Sequence, residues 1–479
     1  MLIFILCASL LAVPGILALR KSPNAREACT FGAGFLLLGL VLTQLDPVLR
    51  GLVPHQNLVE LFPNLWLSLR LDGLGLLFAL VASSLWLVTS AYSIGYMRGL
   101  HEHDQTRYYC FFAVAIAATM GVAMAGNLLT LYLFYELLTF STFPLVTHHR
   151  DAEAVASGRK YLAYVLGGSV ALVFPAMCAV FVNTGSLEFS ALHLGGSDTF
   201  RALVLLAFVF GFSKAAIMPV HSWLPNAMVA PTPVSSLLHA VAVVKVGVFS
   251  IIRVLSGIYG TDLLSLMGAD RYLCAITATT VLTAALMMLT QDNLKRCLAF
   301  STIGQLAYIV LGVATLQPAG ITGGTLHIAM HAFGKITLFF CAGAIYVASK
   351  KKNISQLDGI GRRMPLTMAC FFIGSLSIVG VPPTGGFLSK WLILQGTLQA
   401  GLTGAAMCIL ASSFLKACTL FPIVYRAYFR PVPEGSPEHG EAPTFCLVPP
   451  VITAALSLLL FFYPQPFLQL AQLFGAGGA

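Results

Sequence analysis

Five lysines sit inside otherwise apolar stretches: Lys214 in GFSKAAIMPV, Lys245 in VAVVKVGVF, Lys335 in HAFGKITLFF, Lys390 in GGFLSKWLIL and Lys416 in SSFLKACTLF. One acid, Glu136 in LTLYLFYELLTFSTFPL, is embedded in the same way. A charged side chain at the centre of a bilayer costs about 2.5–3.5 kcal/mol, so a set of this size belongs inside a helix bundle or along a hydrated path. Snorkelling to an interface suits one or two of them near segment ends, Lys416 first among these. Lys214, Lys245 and Lys335 are expected to be interior working groups. His327, His331 and Lys335 follow i, i+4, i+8 spacing and share one helix face. Imidazole titrates near neutral pH and both accepts and donates protons, so this stripe is a candidate proton relay. His239 stands six residues before Lys245, off that lysine's face in a regular helix. Lysine gives up its proton more readily when dehydrated and holds it beside a carboxylate, so a Glu–Lys pair is switched by separating its members. Glu136 and Lys214 are the candidates for such a pair, although the sequence alone does not establish that they touch.

The elements that position these groups follow from composition. Of 479 residues, 58% are hydrophobic and 9% are charged. Soluble globular chains carry about 25% charged residues, so a water-soluble fold is excluded. Apolar segments recur near 2–19, 30–45, 73–96, 109–125, 127–146, 161–182, 201–219, 234–254, 272–290, 297–315, 321–348, 366–399, 402–425 and 446–470. By length these make about 14 transmembrane helices in one all-α domain. The runs are continuous rather than alternating, which excludes a β-barrel. The net charge of +9 is spread over short loops with no basic stripe, so nucleic acid is not an expected partner. The eleven cysteines are scattered singly, with no Cys-x-x-Cys pair and no Cys/His cluster at ligand spacing, so neither a cofactor nor a metal is expected.

Sorting basic residues by loop gives orientation. Loops after odd-numbered helices hold residues such as Arg98, Arg107, Arg150, Arg159, Lys160, Lys295, Lys350, Lys351, Lys352, Arg362 and Arg426, whereas even-numbered loops hold Arg50, Arg70, Arg201, Arg253 and Arg271. Roughly 17 against 5 places both termini on the non-cytoplasmic side. Met1 to Leu19 lacks a basic start and a small-residue cleavage site, and is read as a retained helix. The stretch 46–72 is expected to be an ordered or amphipathic outer connection, and 431–445 a flexible cytoplasmic loop.

Two segments carry break signals. Pro219, Pro225, Pro231 and Pro233 follow Lys214, and Pro382, Pro383, Gly385 and Gly386 precede Lys390. Proline removes a backbone donor, so both segments are expected to be discontinuous helices whose freed groups are buried in protein or line water. Paired broken helices, each with a lysine and each followed by a lysine-bearing helix, suit an inverted repeat with an ion site at the midplane.

The strings PVHSWLPNAMVAPTPVSSLLHAVAVVKVGVF, DNLKRCLAFSTIGQLAYIVLG, HIAMHAFGKITLFF and VPPTGGFLSKW, in that order, resemble the antiporter-like proton-translocating subunits. That family comprises large membrane subunits of respiratory complex I, of Mrp-type sodium/proton antiporters and of energy-converting membrane-bound hydrogenases. The resemblance spans roughly 70 to 425. It implies 14 helices with two inverted five-helix repeats, helices 4–8 within 109–254 and helices 9–13 within 272–425, between N-terminal helices 1–3 (1–108) and helix 14 (446–470). It implies broken helices 7 and 12. It further implies that Glu136 and Lys214 form the switching pair, that His239 and Lys245 are connecting groups of helix 8, that His327, His331 and Lys335 are the central relay, and that Lys390 is the exit lysine. Lys295 matches a family position, and a plain loop charge is the other reading of it. YELLTFSTFPLVTHH and HAFGKITLFFCAGAIY look closer to the D-type Mrp and hydrogenase-associated branch. The long lateral helix of complex I's longest antiporter-like subunit is expected to be absent.

The expected function is proton translocation in a multi-subunit complex of a bacterial or archaeal inner membrane. Other membrane subunits of an Mrp-like, complex I-like or hydrogenase-like assembly are the expected partners, with Na+ as an alternative coupling ion. The rival reading is a non-transporting scaffold that anchors a soluble redox module through its basic loops.

Overall fold

A computed structural model describes residues 1–477 apart from 64, 193, 436 and 437. The chain begins with helices α1 (Leu2–Leu10), α2 (Ala12–Ala18), α3 (Pro23–Leu42) and the short α4 (Leu45–Leu49). An antiparallel hairpin follows, β1 (His55–Phe62) paired with β2 (Leu65–Arg70). The expected ordered connection at 46–72 thus holds most of the short α4 and a two-stranded sheet, the latter an addition to the expected all-α class. Next come α5 (Gly73–Gly99), α6 (Gln105–Ala123) and α7 (Leu128–Val146). The following long helix comprises α8 (Ala152–Gly168), a π turn at Ser169–Val173 and α9 (Phe174–Thr184).

The first broken segment runs through α10 (Asp198–Gly211), a 3-10 turn at Ser213–Ala215 and α11 (Trp223–Asn226). Then α12 (Thr232–Ser236), α13 (Val243–Arg253) and α14 (Gly260–Leu266) are joined by π turns at Leu237–Val241 and Val254–Tyr259. The second half contains α15 (Ala269–Leu289), α16 (Leu294–Ala314), α17 (Pro318–Ser349), α18 (Ile360–Arg363), α19 (Pro365–Val379), α20 (Gly385–Gln399) and α21 (Thr403–Phe429). Helices α22 (Thr444–Phe462) and α23 (Gln465–Gly477) end the described chain.

Among the described residues, 11 helices are long and apolar enough to cross a membrane, with Leu2–Ala18 and Pro365–Val379 shorter apolar helices. Both expected breaks are present. The apolar stretch at 201–219 stops being helical at Phe212, and 366–399 is two helices separated at Gly380–Thr384. Each break contains a proline that cannot donate to the preceding turn.

Asparagine and aspartate caps set the helix starts. Asp72, Asn127, Asp151 and Asn293 each accept the backbone N–H of the third following residue, at 2.7–3.1 Å. A helix that is apolar on all sides must be enclosed by protein. Helices α16 and α17 are so enclosed over their whole apolar windows, whereas the windows of α3 and α21 are buried for 33% and 28% and form the periphery. Helix α17 is the hub, in contact with α5, α12, α16, α19, α20, α22 and α23. The segment 431–445, expected to be flexible, is tied down at Glu441, which accepts from Leu366 N–H and from Thr367 Oγ1. Two of its residues, 436 and 437, lie outside the described residues.

Candidate functional site: a buried lysine and histidine chain

The embedded lysines are interior. Lys214, Lys245, Lys335 and Lys416 are 0% exposed and Lys390 is 6% exposed. Lys416 therefore does not snorkel as expected. It sits near the middle of the 27-residue α21, too far from either end to reach an interface, and its Nζ lies 4.3 Å from the Tyr308 ring centroid and 3.3 Å from Ser412 Oγ. That central position was the sequence signal for its burial.

In the first half, the 3-10 turn at Ser213–Ala215 delivers Lys214 to α7. Its Nζ donates to Tyr135 O and Thr139 Oγ1, both at 2.6 Å, and stands 3.1 Å from the Tyr135 ring centroid. Among the described residues Lys214 has no carboxylate within 4 Å, so Glu136, the neighbour of Tyr135, is not in ion-pair contact with it. Both Glu136 oxygens are buried without a hydrogen-bond partner among the described residues. Gly247, two residues past Lys245, lets α13 pack directly on this turn. A Cβ there would lie 2.1 Å from Ala215 N and 2.4 Å from Lys214 C.

The halves meet at Lys245. Its Nζ is 2.8 Å from His331 Nδ1, so α13 and α17 are joined by a lysine–imidazole contact. The His331 and His327 rings stack at 5.9 Å, one helical turn apart. His327 Nε2–H donates to Gln305 Oε1 at 2.7 Å, and its Nδ1 accepts from Ser389 Oγ at 2.8 Å. Gln305 Nε2 donates in turn to Ile378 O at 2.7 Å, a carbonyl freed by the break after α19. Lys390 Nζ shares that same oxygen at 2.7 Å and also donates to Val379 O at 2.9 Å. Tyr308, beside Lys390 and Lys416, hydrogen-bonds Ser412. A chain of polar groups thus runs laterally from Lys245 to Lys390 and Lys416 inside an apolar bundle.

Other expected residues stand off this chain. Lys335 lies on α17 with His331, but its Nζ has no hydrogen-bond partner among the described residues and is 5.9 Å from the Phe339 ring centroid. His239 occupies the π turn at Leu237–Val241, its ring 4.9 Å from that of Phe339 and both nitrogens unpartnered. The π turn and the non-helical Ala242 (φ −101°, ψ −80°) separate it from Lys245, so regular-helix phasing does not apply between them. Lys295, half-buried in the first turn of α16, donates to Ala230 O at 2.7 Å. It lines a polar cavity of about 680 Å³ with Glu102, His149, Lys160 and Lys352. The loops after α5, α7 and α17 and the start of α16 meet around this cavity, so basic residues that the sequence sorted together share one end of the bundle.

Gln305, Ser389, Thr139, Tyr135 and Tyr308 were missed by sequence reasoning. They are neutral, and no charge in an apolar run marked them as interior polar groups.

The bundle and this buried chain define a polytopic membrane protein of the antiporter-like class. The chain belongs to the family described as "NADH:quinone oxidoreductase/Mrp antiporter, TM", whose model matches residues 125–416. It is 30% identical over 467 residues to NADH-quinone oxidoreductase subunit N of Desulforudis audaxviator, covering 91% of each chain. It is 30% identical over 431 residues to Na(+)/H(+) antiporter subunit A1 of Staphylococcus haemolyticus, covering 83% of this chain and 52% of that one. The chain therefore spans about half the length of that A1 relative. Among solved structures, the fold matches a chain of the Mrp complex from Dietzia sp. with a TM-score of 0.84 and 21% identity, covering 99% of this chain and 97% of that one. A chain of an archaeal membrane-bound sulfane sulfur reductase matches with a TM-score of 0.85 and 22% identity over the same shares.

Proposed function

We propose that the protein is the proton-translocating membrane subunit of a multi-subunit energy-coupling complex in a bacterial or archaeal inner membrane. The observation that carries this reading is the 2.8 Å contact between Lys245 and His331, which links a lysine of one half to the imidazole stripe of the other. Protons enter near Lys214 and Lys245, pass His331 and His327, and leave near Lys390. His239, Lys335 and Lys295 join the path through water at their unpartnered or cavity-facing atoms, since buried polar groups without protein partners are where ordered waters bind. Glu136 switches the first half by closing onto Lys214 and withdrawing from it. Moving one charge against 100 mV requires about 2.3 kcal/mol, comparable with the difference between a paired and an unpaired buried lysine.

In this reading, 109–254 and 272–425 are two inverted five-helix repeats, flanked by 1–108 and 446–470, with both termini on the non-cytoplasmic side. Two features support the repeats. Leu128 N–H bonds to Leu187 O and Leu294 N–H to Lys352 O, each just after an asparagine cap and each reaching the loop beyond the next helix. The partners are other membrane subunits of an Mrp-like, complex I-like or hydrogenase-like assembly, and Na+ is the alternative coupling ion. The test is proton pumping or cation/proton exchange in vesicles bearing Lys214→Ala or Glu136→Gln in an assembled complex. Loss of transport in both is the expected result, and unchanged transport in both would sink the relay.

A further inference from the structure

Outside the chain of lysines, one end of the bundle gathers imidazoles from two loops. Glu102 and His103 lie in the turn between α5 and α6, and His148 and His149 follow α7. One ligand atom each from Glu102, His103 and His148 falls within 4.8 Å of the others. His149 Nδ1 is 3.5 Å from Glu102 Oε2, and His148 Nε2 is 3.9 Å from the same oxygen. The rings of His103 and His148 stack at 4.8 Å.

Two observations point from this cluster to a metal ion. His148 is 0% exposed, yet among the described residues neither of its ring nitrogens has a hydrogen-bond partner, a condition that a buried imidazole rarely tolerates. His103 Nε2 lies 3.0 Å from His148 O, the arrangement in which an imidazole donates one N–H to a backbone carbonyl and keeps the lone pair of its other nitrogen for a metal.

We propose that Glu102, His103, His148 and His149 bind a Zn2+ ion that ties the α5–α6 turn to the end of α7. The donor set is imidazole nitrogen with one carboxylate, which suits Zn2+ and not the all-oxygen shells of Ca2+ or Mg2+. Tetrahedral Zn–N bonds of about 2.0–2.1 Å place neighbouring ligand atoms about 3.3 Å apart. The cluster reaches that spacing by rotation of the exposed His103 and half-buried Glu102 side chains around a fixed His148. The two arginines beside the cluster have other partners. Arg150 pairs with Asp104 at 2.8 Å, and Arg107 donates to His148 O at 3.2 Å. Glu102 and His149 also line the 680 Å³ cavity that holds Lys295, so the ion would sit in the wall of that cavity. The four ligands escaped sequence reasoning because they come from loops more than forty residues apart, as the His103–His148 separation of 45 shows.

The test uses the full-length chain in its purified membrane complex, stripped with EDTA and titrated with ZnCl2 against a chromophoric chelator. Wild type is expected to take up one tight equivalent that His148→Ala loses or binds at least tenfold more weakly. Glu102→Gln, which keeps the shape of the side chain, and His103→Ala, at an exposed position, serve if His148→Ala fails to assemble, and are expected to weaken the same equivalent. X-ray absorption of the loaded wild type should show imidazole nitrogens at about 2.0–2.1 Å. No tight equivalent in wild type, or an equivalent retained in the variants, would overturn the proposal.

Discussion

The two halves of the bundle start alike and are wired differently. Residues 105–266 and 269–429 each contain an Asn-capped helix, a long helix, a broken helix and a final lysine-bearing helix. In the first half the break is drawn out from Phe212 to Pro231, and the helix after it carries two π turns. In the second half the break is confined to Gly380–Thr384, and α21 runs unbroken from Thr403 to Phe429. The charges differ as well. All three lysines have carbonyl or hydroxyl partners and a tyrosine ring, but Lys214 is bound through Tyr135, the chain neighbour of the embedded Glu136, whereas no embedded acid stands beside the partners of Lys390 and Lys416 among the described residues. An irregular backbone with a carboxylate at hand suits a part that moves. A regular backbone with neutral acceptors suits a part that holds and passes on a charge.

The strongest break of this comparison is Lys214→Ala against Lys416→Met. Transport is expected to be lost in the first, with a fall of at least tenfold, equivalent to about 1.4 kcal/mol on the barrier. The second should retain a larger share, because Lys390 still reaches the Ile378 and Val379 carbonyls. Proton uptake by the assembled complex in vesicles distinguishes them.

Each half also has an anchoring ion pair, and these differ in burial. Arg253 of α13 makes a bidentate pair with Asp72 at 2.5 and 2.7 Å, with side chains 4% and 14% exposed. Arg426 of α21 pairs with Asp358 at 2.6 Å, with side chains 26% and 19% exposed. Removing one member of a buried pair strands the other, so Asp72→Asn should cost about 3–5 kcal/mol, seen as a large drop in Tm in detergent. Gln305→Leu comes next. It leaves His327 and the Ile378 carbonyl each one partner short, at a cost of about 1–3 kcal/mol, and reduces transport in the second half.

Asp358→Asn should be the mildest, at about 0.5 kcal/mol, because solvent screens the pair. Its pH dependence has a defined sign. The hydrogen bond from Arg426, reinforced by Arg430, holds the Asp358 carboxyl below the usual carboxylate value. The pair's contribution is therefore full above the ordinary value near 3.8 and is lost as pH falls through the lower folded value. Tm of wild type and Asp358→Asn should converge only at strongly acidic pH. A difference that persists there would mean Asp358 acts by packing.

The legible parts of the molecule were those with a strong local chemical signal. Lysines in apolar runs marked Lys214, Lys245, Lys335 and Lys390 as interior. Pro219 and Pro383 marked the breaks, and i, i+4 spacing put His327 and His331 on one face. What stayed hidden depends on long-range packing. The π turn that carries His239 packs, with α12, against α17, and no local residue pattern announced it. Gln305 matters because Ile378 ends a helix beside it. The hairpin at His55–Arg70 pairs in a register interrupted by two irregularities and read as a connection. Glu136 and Lys214 were paired by residue type and family resemblance, and only the fold shows that Lys214 Nζ here donates to Tyr135 O and Thr139 Oγ1.

The central claim is that Lys245 and His331 form one link between the halves. The most direct measurement is a double-mutant cycle on proton transport in vesicles bearing the assembled complex, with Lys245→Ala, His331→Ala and both together. If the two residues are one link, each single variant loses transport and the double variant is no worse than either. Near wild-type transport in both single variants, or losses that simply multiply in the double, would contradict it.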